Sequence, residues 1–152
     1  MRNNYSNGIN KYAKYAEIPL RLGLSLIFIY DGWGKLTSIQ KTAELFYKIG
    51  MPMPDVMAWV IGLLELLSGI AVLLGIFTSI AALLIALDMI IAIYFTYGFK
   101  SAVLFSRSQF EIALLLMALS LALSQSTVWS IDSIRKEKKS GRQERLFKIK
   151  TR

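Results

Sequence analysis

The fold is decided by the stretch VIGLLELLSGIAVLLGIFTSIAALLIALDMIIAIYF, residues 60–95, in which two long apolar runs follow each other almost without interruption. Each run has close to the ~20 residues that an α-helix needs to cross a bilayer. Gly75 is suited to end the first helix, and the hydroxyl residues at 78–79 are suited to begin the second. Because the connection is so short, the runs at 56–77 and 79–98 are predicted to form an antiparallel helical hairpin.

Two further apolar runs, at residues 18–37 and 109–129, also have lengths near that of a membrane span. The segment between the first and second runs has the pattern of a short amphipathic helix, which is typical of a helix lying in the membrane interface. Its apolar face would carry Ile39, Ala43, Phe46, Tyr47 and Gly50. We therefore predict an all-α protein, a four-helix transmembrane bundle with a short interfacial amphipathic helix between the first and second spans.

Basic residues indicate how the chain is oriented. Nine of them follow position 134, and the net charge is +8. A basic tail directly after an apolar helix is typical of a cytoplasmic segment that faces anionic lipid, so we expect membrane lipid rather than nucleic acid as its partner. We predict a multi-pass protein of the plasma or inner membrane with both termini cytoplasmic, organised as a polar segment (1–17), a membrane domain (18–133) and a basic tail (134–152).

The sequence contains no cysteine and no histidine. Disulfides, thiolate metal sites and iron–sulfur ligation by these residues are therefore excluded, and so are the commonest ligands of haem and of other metals. We predict no metal site and no intrinsic cofactor. Any redox chemistry must use a bound organic molecule or a partner protein.

Two acidic residues lie deep in the predicted spans. At a rise of 1.5 Å per residue, Glu65 and Asp88 lie about 13–15 Å below the outer surface, where a charge costs roughly 2.5–3.5 kcal/mol. A protonated carboxyl at that depth can donate a hydrogen bond to a carbonyl, which suits a quinone headgroup or a proton-coupled transport site. The alternative is interhelical hydrogen bonding that fixes the helices. Gly62 and Gly69 share the helical face of Glu65, which predicts close packing there.

A rim of ionisable residues is predicted above these carboxyls, formed by Asp31, Lys35 and Glu111, with Trp33 marking the interface. Lys35 is the nearest cation for the deep carboxyls. Simpler roles are also open, because Asp31 and Lys35 have the spacing of a helical ion pair. Glu111 likewise follows Ser108 at the spacing of a capping box.

Two arginines lie near the ends of spans, Arg21 on the predicted cytoplasmic side and Arg107 on the outer side. Both fit interfacial anchors whose side chains extend toward lipid headgroups. Both are also candidates for ligand binding.

A series of motifs runs through the predicted membrane domain. In order they are RLGLSLIFIYDGWGKL (21–36), KIGMPMP (48–54), GLLELLSGIAVLLGIFT (62–78), EIALLLMALSLAL (111–123) and WSID (129–132). Their order and spacing resemble those of the DoxX family of small four-helix membrane proteins. The resemblance extends over roughly residues 19–133.

The resemblance implies a membrane subunit of a quinone-linked oxidoreductase complex, since the related DoxD proteins are subunits of a thiosulfate:quinone oxidoreductase associated with a terminal oxidase. It implies a bound quinone, partner oxidoreductase subunits and possible homo-oligomers. Glu65, Asp88 and Asp31 are the candidates for proton handling. The candidates for substrate or quinone binding are Lys35, Arg21, Glu111, Trp33 and Arg107.

Two other functions fit the same residues. One is a small proton-coupled transporter in which Glu65 exchanges a proton for a solute. The other is a structural or assembly subunit of a larger membrane enzyme, which would use the amphipathic helix and the basic tail as docking surfaces.

Overall fold

The computed structural model describes residues 17–97 and 108–124, and every regular element within them is an α-helix. This confirms the all-α prediction for that part of the chain. The predicted polar N-terminal segment up to residue 16, Arg107 and the basic tail lie outside the described residues. The helices, in chain order, are α1 (Glu17–Thr37), α2 (Ile39–Lys48), α3 (Pro54–Leu74), α4 (Thr78–Tyr97) and α5 (Gln109–Leu123).

Two of the described helices, α3 and α4, are long and apolar enough to cross a membrane. Helix α5 is also apolar, but at 15 residues it is shorter than α3 and α4. Helix α1 has 21 residues and carries four charged side chains. The four-helix transmembrane bundle therefore stays a prediction.

The connection between α3 and α4 has the geometry that the sequence predicts. Gly75 has a φ of 68°, a left-handed conformation that glycine adopts without steric cost. Its N–H donates to the carbonyl of Val72, and the N–H of Ile76 donates to that of Ala71. These two bonds form a Schellman motif that satisfies the last carbonyls of α3. Helix α4 begins at Thr78 and packs against α3.

The most extensive helix contact joins α1 to α3, and glycine makes it close. A Cβ atom at Gly32 would lie 2.5 Å from the backbone nitrogen of Leu66. A Cβ atom at Gly69 would lie 2.9 Å from the backbone nitrogen of Ile29. The two backbones therefore approach to a distance that any larger residue would prevent, which confirms the predicted close packing on this face of α3.

Helix α2 lies against α3 and buries Ala43 and Phe46. Tyr47, predicted on the same apolar face, is 76% exposed, so part of that face is left uncovered by α3. Helix α3 begins with Met53 as its N-cap residue and Pro54 in the first helical position, where the missing N–H has no cost. Asp55, a residue type that often caps helices, lies in the first turn instead.

Candidate functional site

A partly buried ion pair between α1 and α3 is the centre of the candidate site. The Lys35 ammonium donates to both carboxylate oxygens of Glu65, at Nζ–O distances of 2.7 and 2.6 Å. The Glu65 side chain is 4% exposed and that of Lys35 is 26% exposed. Within the described residues, Lys35 therefore pairs with the deep carboxyl on α3 rather than with Asp31 on its own helix. An ammonium has three donors, so one N–H of Lys35 remains for another acceptor.

The glycines of the α1–α3 contact explain how Lys35 reaches Glu65. Gly62 lies one helical turn before Glu65, and a Cβ atom there would be 3.4 Å from Cβ of Lys35 and 3.0 Å from the side chain of Leu36. The missing side chain therefore leaves room for the lysine stem to descend along α3. Gly32, one turn before Lys35, holds the two backbones together at this level.

Asp88 of α4 adds a second carboxyl beside the ion pair. Its side chain lies within hydrogen-bonding reach of the Glu65 carboxyl, and the residue is 3% exposed. A bond between two carboxyls needs one proton between them. The buried oxygen Oδ2 of Asp88 accepts no hydrogen bond from an N–H or O–H group of the described residues. Glu65 and Asp88 were predicted to lie at the same depth, and in the structure their carboxyls lie next to each other.

These groups line one cavity of about 200 Å³. Most of its walls are apolar side chains, contributed by all five helices and the segment after α2. The polar groups at it include Asp31, Lys35, Glu65, Asp88, Thr96 and Glu111, and the apolar ones include Phe46, Ile61, Met89, Phe110 and Leu114. An apolar chamber with a few convergent polar groups is the usual form of a small-molecule site. Its volume lies below the roughly 300–1,000 Å³ of drug-sized pockets, so it suits a single small ring.

Glu111 joins the site from the first turn of α5. Its Oε1 accepts a hydrogen bond from the Tyr97 hydroxyl at 3.0 Å. Its Oε2 is buried without a partner among the described residues. Ser108 is the N-cap residue of α5, as the capping-box spacing predicts, but its side chain makes no capping hydrogen bond. Glu111 therefore belongs to the cavity wall, where one carboxylate oxygen is left for a ligand.

Asp31 and Trp33 lie in the C-terminal half of α1. Asp31 is half-buried and lines both the cavity and a neighbouring groove of about 460 Å³. Trp33 lines only the groove and is 62% exposed. The structure thus brings Asp31 to the cavity and leaves Trp33 on the outer surface.

Arg21 lies at the opposite end of α1 from the cavity. Its Nε donates to the carbonyl of Val72 at 3.1 Å, and a terminal nitrogen donates to that of Leu73 at 3.4 Å. The arginine is buried and binds the C-terminal end of α3, where the helix dipole favours a cation. Arg21 is therefore not among the residues that the structure brings to the cavity, and Arg107 lies outside the described residues.

Residues of α2 and the segment after it form one wall of the cavity, a role that was not predicted from the sequence. Leu45, Phe46, Ile49 and Met51 all line it. The amphipathic pattern of this segment predicts an apolar face but not what that face covers. The available signal was that the helices before and after this segment both carry charged residues within apolar runs, which suggests a polar site beside the segment.

The described residues, with helices as their regular elements, two apolar helices of membrane length and charged groups between helices, have the features of a membrane protein. The sequence matches the DoxX family model over residues 17–98, more than half of its 152 residues, and the chain belongs to the DoxX family, whose members are membrane-associated. The chain is 34% identical over 134 residues to the Bacillus subtilis (strain 168) protein named "Putative oxidoreductase CatD". That alignment covers 88% of this chain and 97% of the relative. No solved structure matches the chain.

Proposed function

We propose that this DoxX-family protein is a membrane subunit of a quinone-linked oxidoreductase, and that the cavity at the Lys35–Glu65 pair binds the quinone headgroup. The family and the relative named as an oxidoreductase support the general class. The observation that carries the proposal is the half-buried ammonium of Lys35, which lines an apolar chamber and has one donor left for a ligand oxygen.

The residues present fit a quinone. Its ring would pack against apolar side chains such as Phe46, Met89 and Leu114, and one ring oxygen would accept from Lys35. The carboxyls of Asp88 and Glu111 line the same cavity and have oxygens without partners among the described residues, so groups able to exchange protons with the ligand lie beside the ring. The cavity volume of about 200 Å³ suits the ring alone and leaves an apolar tail to lie outside.

The protein's own part in the chemistry is binding and proton handling. Reduction of a quinone to a quinol takes two electrons and two protons. Glu65, Asp88 and Asp31 are the groups proposed to exchange those protons with the ring oxygens, with Lys35 balancing the charge. The electrons would come from a partner subunit. The quinone would enter the site from the bilayer. The protein would be multi-pass with both termini cytoplasmic, the orientation predicted from the basic residues.

Titration of the purified protein in nanodiscs with duroquinone tests this function. Duroquinone is a single ring without an isoprenoid tail, and its fully substituted ring does not add to lysine. We expect saturable binding that Lys35→Ala weakens at least tenfold, because the variant removes the donor to the ring oxygen. Lys41→Ala is the matched control, since Lys41 is exposed and does not line the cavity.

Two results would argue against the proposal. Unsaturable partitioning that is equal in wild type and Lys35→Ala would mean that the cavity binds no quinone headgroup. Solute-driven proton release from the purified protein alone, without quinone binding, would favour the proton-coupled transporter.

A further inference from the structure

The hydrogen-bonding groups of the cavity differ between its two sides. On the α1–α3 side, the Lys35 ammonium offers an N–H donor. On the α4–α5 side, the buried polar atoms without a partner among the described residues belong to the carboxyls of Asp88 and Glu111, which we name the acceptor wall; Thr96, another polar residue of this side, is exposed. A ligand that satisfies both sides must accept a hydrogen bond at one end and donate at the other.

Asp88 presents acceptors to the cavity because its contact with Glu65 accounts for the shared proton. One proton shared between the two carboxyls lies between Glu65 and one oxygen of Asp88, whichever of the two carries it. The other oxygen, Oδ2, has no partner among the described residues, and in this arrangement it can only accept.

Glu111 likewise has one carboxyl oxygen without a hydrogen-bond donor among the described residues. The Tyr97 hydroxyl donates to its Oε1, which leaves Oε2 buried without a donor among the described residues. Glu111 and Asp88 come from neighbouring helices that pack on each other, so the two carboxyls form one side of the chamber.

We propose that the cavity holds its aromatic ligand in the reduced, dihydroxy form, with one hydroxyl oxygen accepting from Lys35 and the other hydroxyl donating to the acceptor wall. A quinol hydroxyl is both donor and acceptor, so it satisfies both sides. A quinone carbonyl only accepts, and at the acceptor wall it would place its lone pairs against carboxyl oxygens. This inference rests on the proposed quinone site and specifies which redox form that site prefers.

The preference has a redox consequence. If the quinol binds about tenfold more tightly than the quinone, the midpoint potential of the bound two-electron couple rises by about 30 mV. The site then stabilises the product of quinone reduction, or equally the substrate of quinol oxidation. Binding involves no net electron transfer, so the preference can be measured on the protein alone.

Anaerobic calorimetric titrations of the full-length protein in nanodiscs test the proposal with three probes: duroquinol, duroquinone and the dimethyl ether of duroquinol. We expect duroquinol to bind about tenfold more tightly than duroquinone, because one hydrogen bond to a carboxyl is gained. The dimethyl ether should bind no better than duroquinone, because it keeps the acceptors and loses both donors.

Variants of the acceptor wall provide the sharper comparison. Asp88→Asn introduces an N–H₂ group that can donate to a carbonyl, so it should reduce or reverse the preference for duroquinol. Glu111→Gln tests the other carboxyl in the same way and serves if Asp88→Asn does not fold. Asp55→Asn and Glu44→Gln are the matched controls, since both residues are exposed and lie outside the cavity.

The outcomes separate this inference from the function on which it rests. If neither duroquinol nor duroquinone binds, the quinone site itself is wrong. If duroquinone binds as tightly as duroquinol, or the ether binds as tightly as duroquinol, the quinone site stands and the preference for the reduced form is wrong. Unchanged preference in both folded acceptor-wall variants would also overturn the assignment.

Discussion

Gly32 and Gly34 provide a direct test of how α1 is held against α3. The two glycines lie two residues apart in the same helix, yet they face different surroundings. A Cβ atom at Gly32 would meet backbone atoms of α3 at 2.5–2.9 Å, whereas one at Gly34 would meet nothing within 4 Å. We therefore expect Gly34→Ala to stabilise the protein and Gly32→Ala to destabilise it.

The size of the difference follows from the two environments. Alanine gains about 1 kcal/mol over glycine within a helix, and both variants receive this gain. At Gly32, the new methyl group meets backbone that has no flexible end to move, so we assign the upper value for overpacking, about 3 kcal/mol. The net change is then a loss of about 2 kcal/mol for Gly32→Ala and a gain of about 1 kcal/mol for Gly34→Ala.

Thermal unfolding of the detergent-solubilised protein measures this difference. At about 2–4 °C per kcal/mol for a chain of this length, the Tm values of the two variants should differ by about 6–12 °C. Because Gly32 lies one turn from Lys35, Gly32→Ala should also weaken duroquinone binding, while Gly34→Ala should not. Equal Tm values for the two variants would refute the close α1–α3 contact.

Three further predictions concern the ion pair, the inner end of α1 and the topology. Lys35→Ala should lower the free energy of unfolding by about 3 kcal/mol, since it leaves the buried Glu65 carboxylate without its cation; Lys35→Met combined with Glu65→Leu should recover most of the loss, as thermal unfolding would show. Arg21→Met should cost about 1.5–3 kcal/mol through lost bonds to the end of α3, with partial recovery in Arg21→Lys, and equal stability of both variants to wild type would contradict this. The chain has no cysteine, so Gln40→Cys at an exposed position of α2 gives a single thiol. An impermeant maleimide should label this thiol in intact cells, and labelling only after lysis would contradict the predicted orientation.

Much of the fold could be predicted because the length of an apolar run and the residues that begin or end a helix are local signals. Helix α1 is predicted from residue 18 and begins at Glu17. Helix α3 is predicted to extend to residue 77 but ends at Leu74, where Gly75 closes it as expected. The start of α3 was missed because Pro54 and the left-handed Met53 fix it, and neither depends on a capping side chain.

The candidate site was predictable in its members but not in its pairing. The depths of Glu65 and Asp88 follow from helical rise, so their proximity could be anticipated from sequence. The choice of Lys35 between Asp31 and Glu65 could not, because it depends on the room left at Gly62 and on how closely α1 approaches α3. The hydrogen bond from Tyr97 to Glu111 joins two helices across a connection and carries no local signal.

Photolabelling with an azido-substituted quinone tests the central claim most directly, because mass spectrometry of the labelled peptides reports where the ring lies. We expect label on cavity residues such as Phe46, Met89 and Leu114, displaced by excess duroquinone and lost in Lys35→Ala but retained in Lys41→Ala. Label confined to exposed faces such as those of Leu26 and Leu67, without competition and without dependence on Lys35, would contradict a quinone site at the Lys35–Glu65 pair.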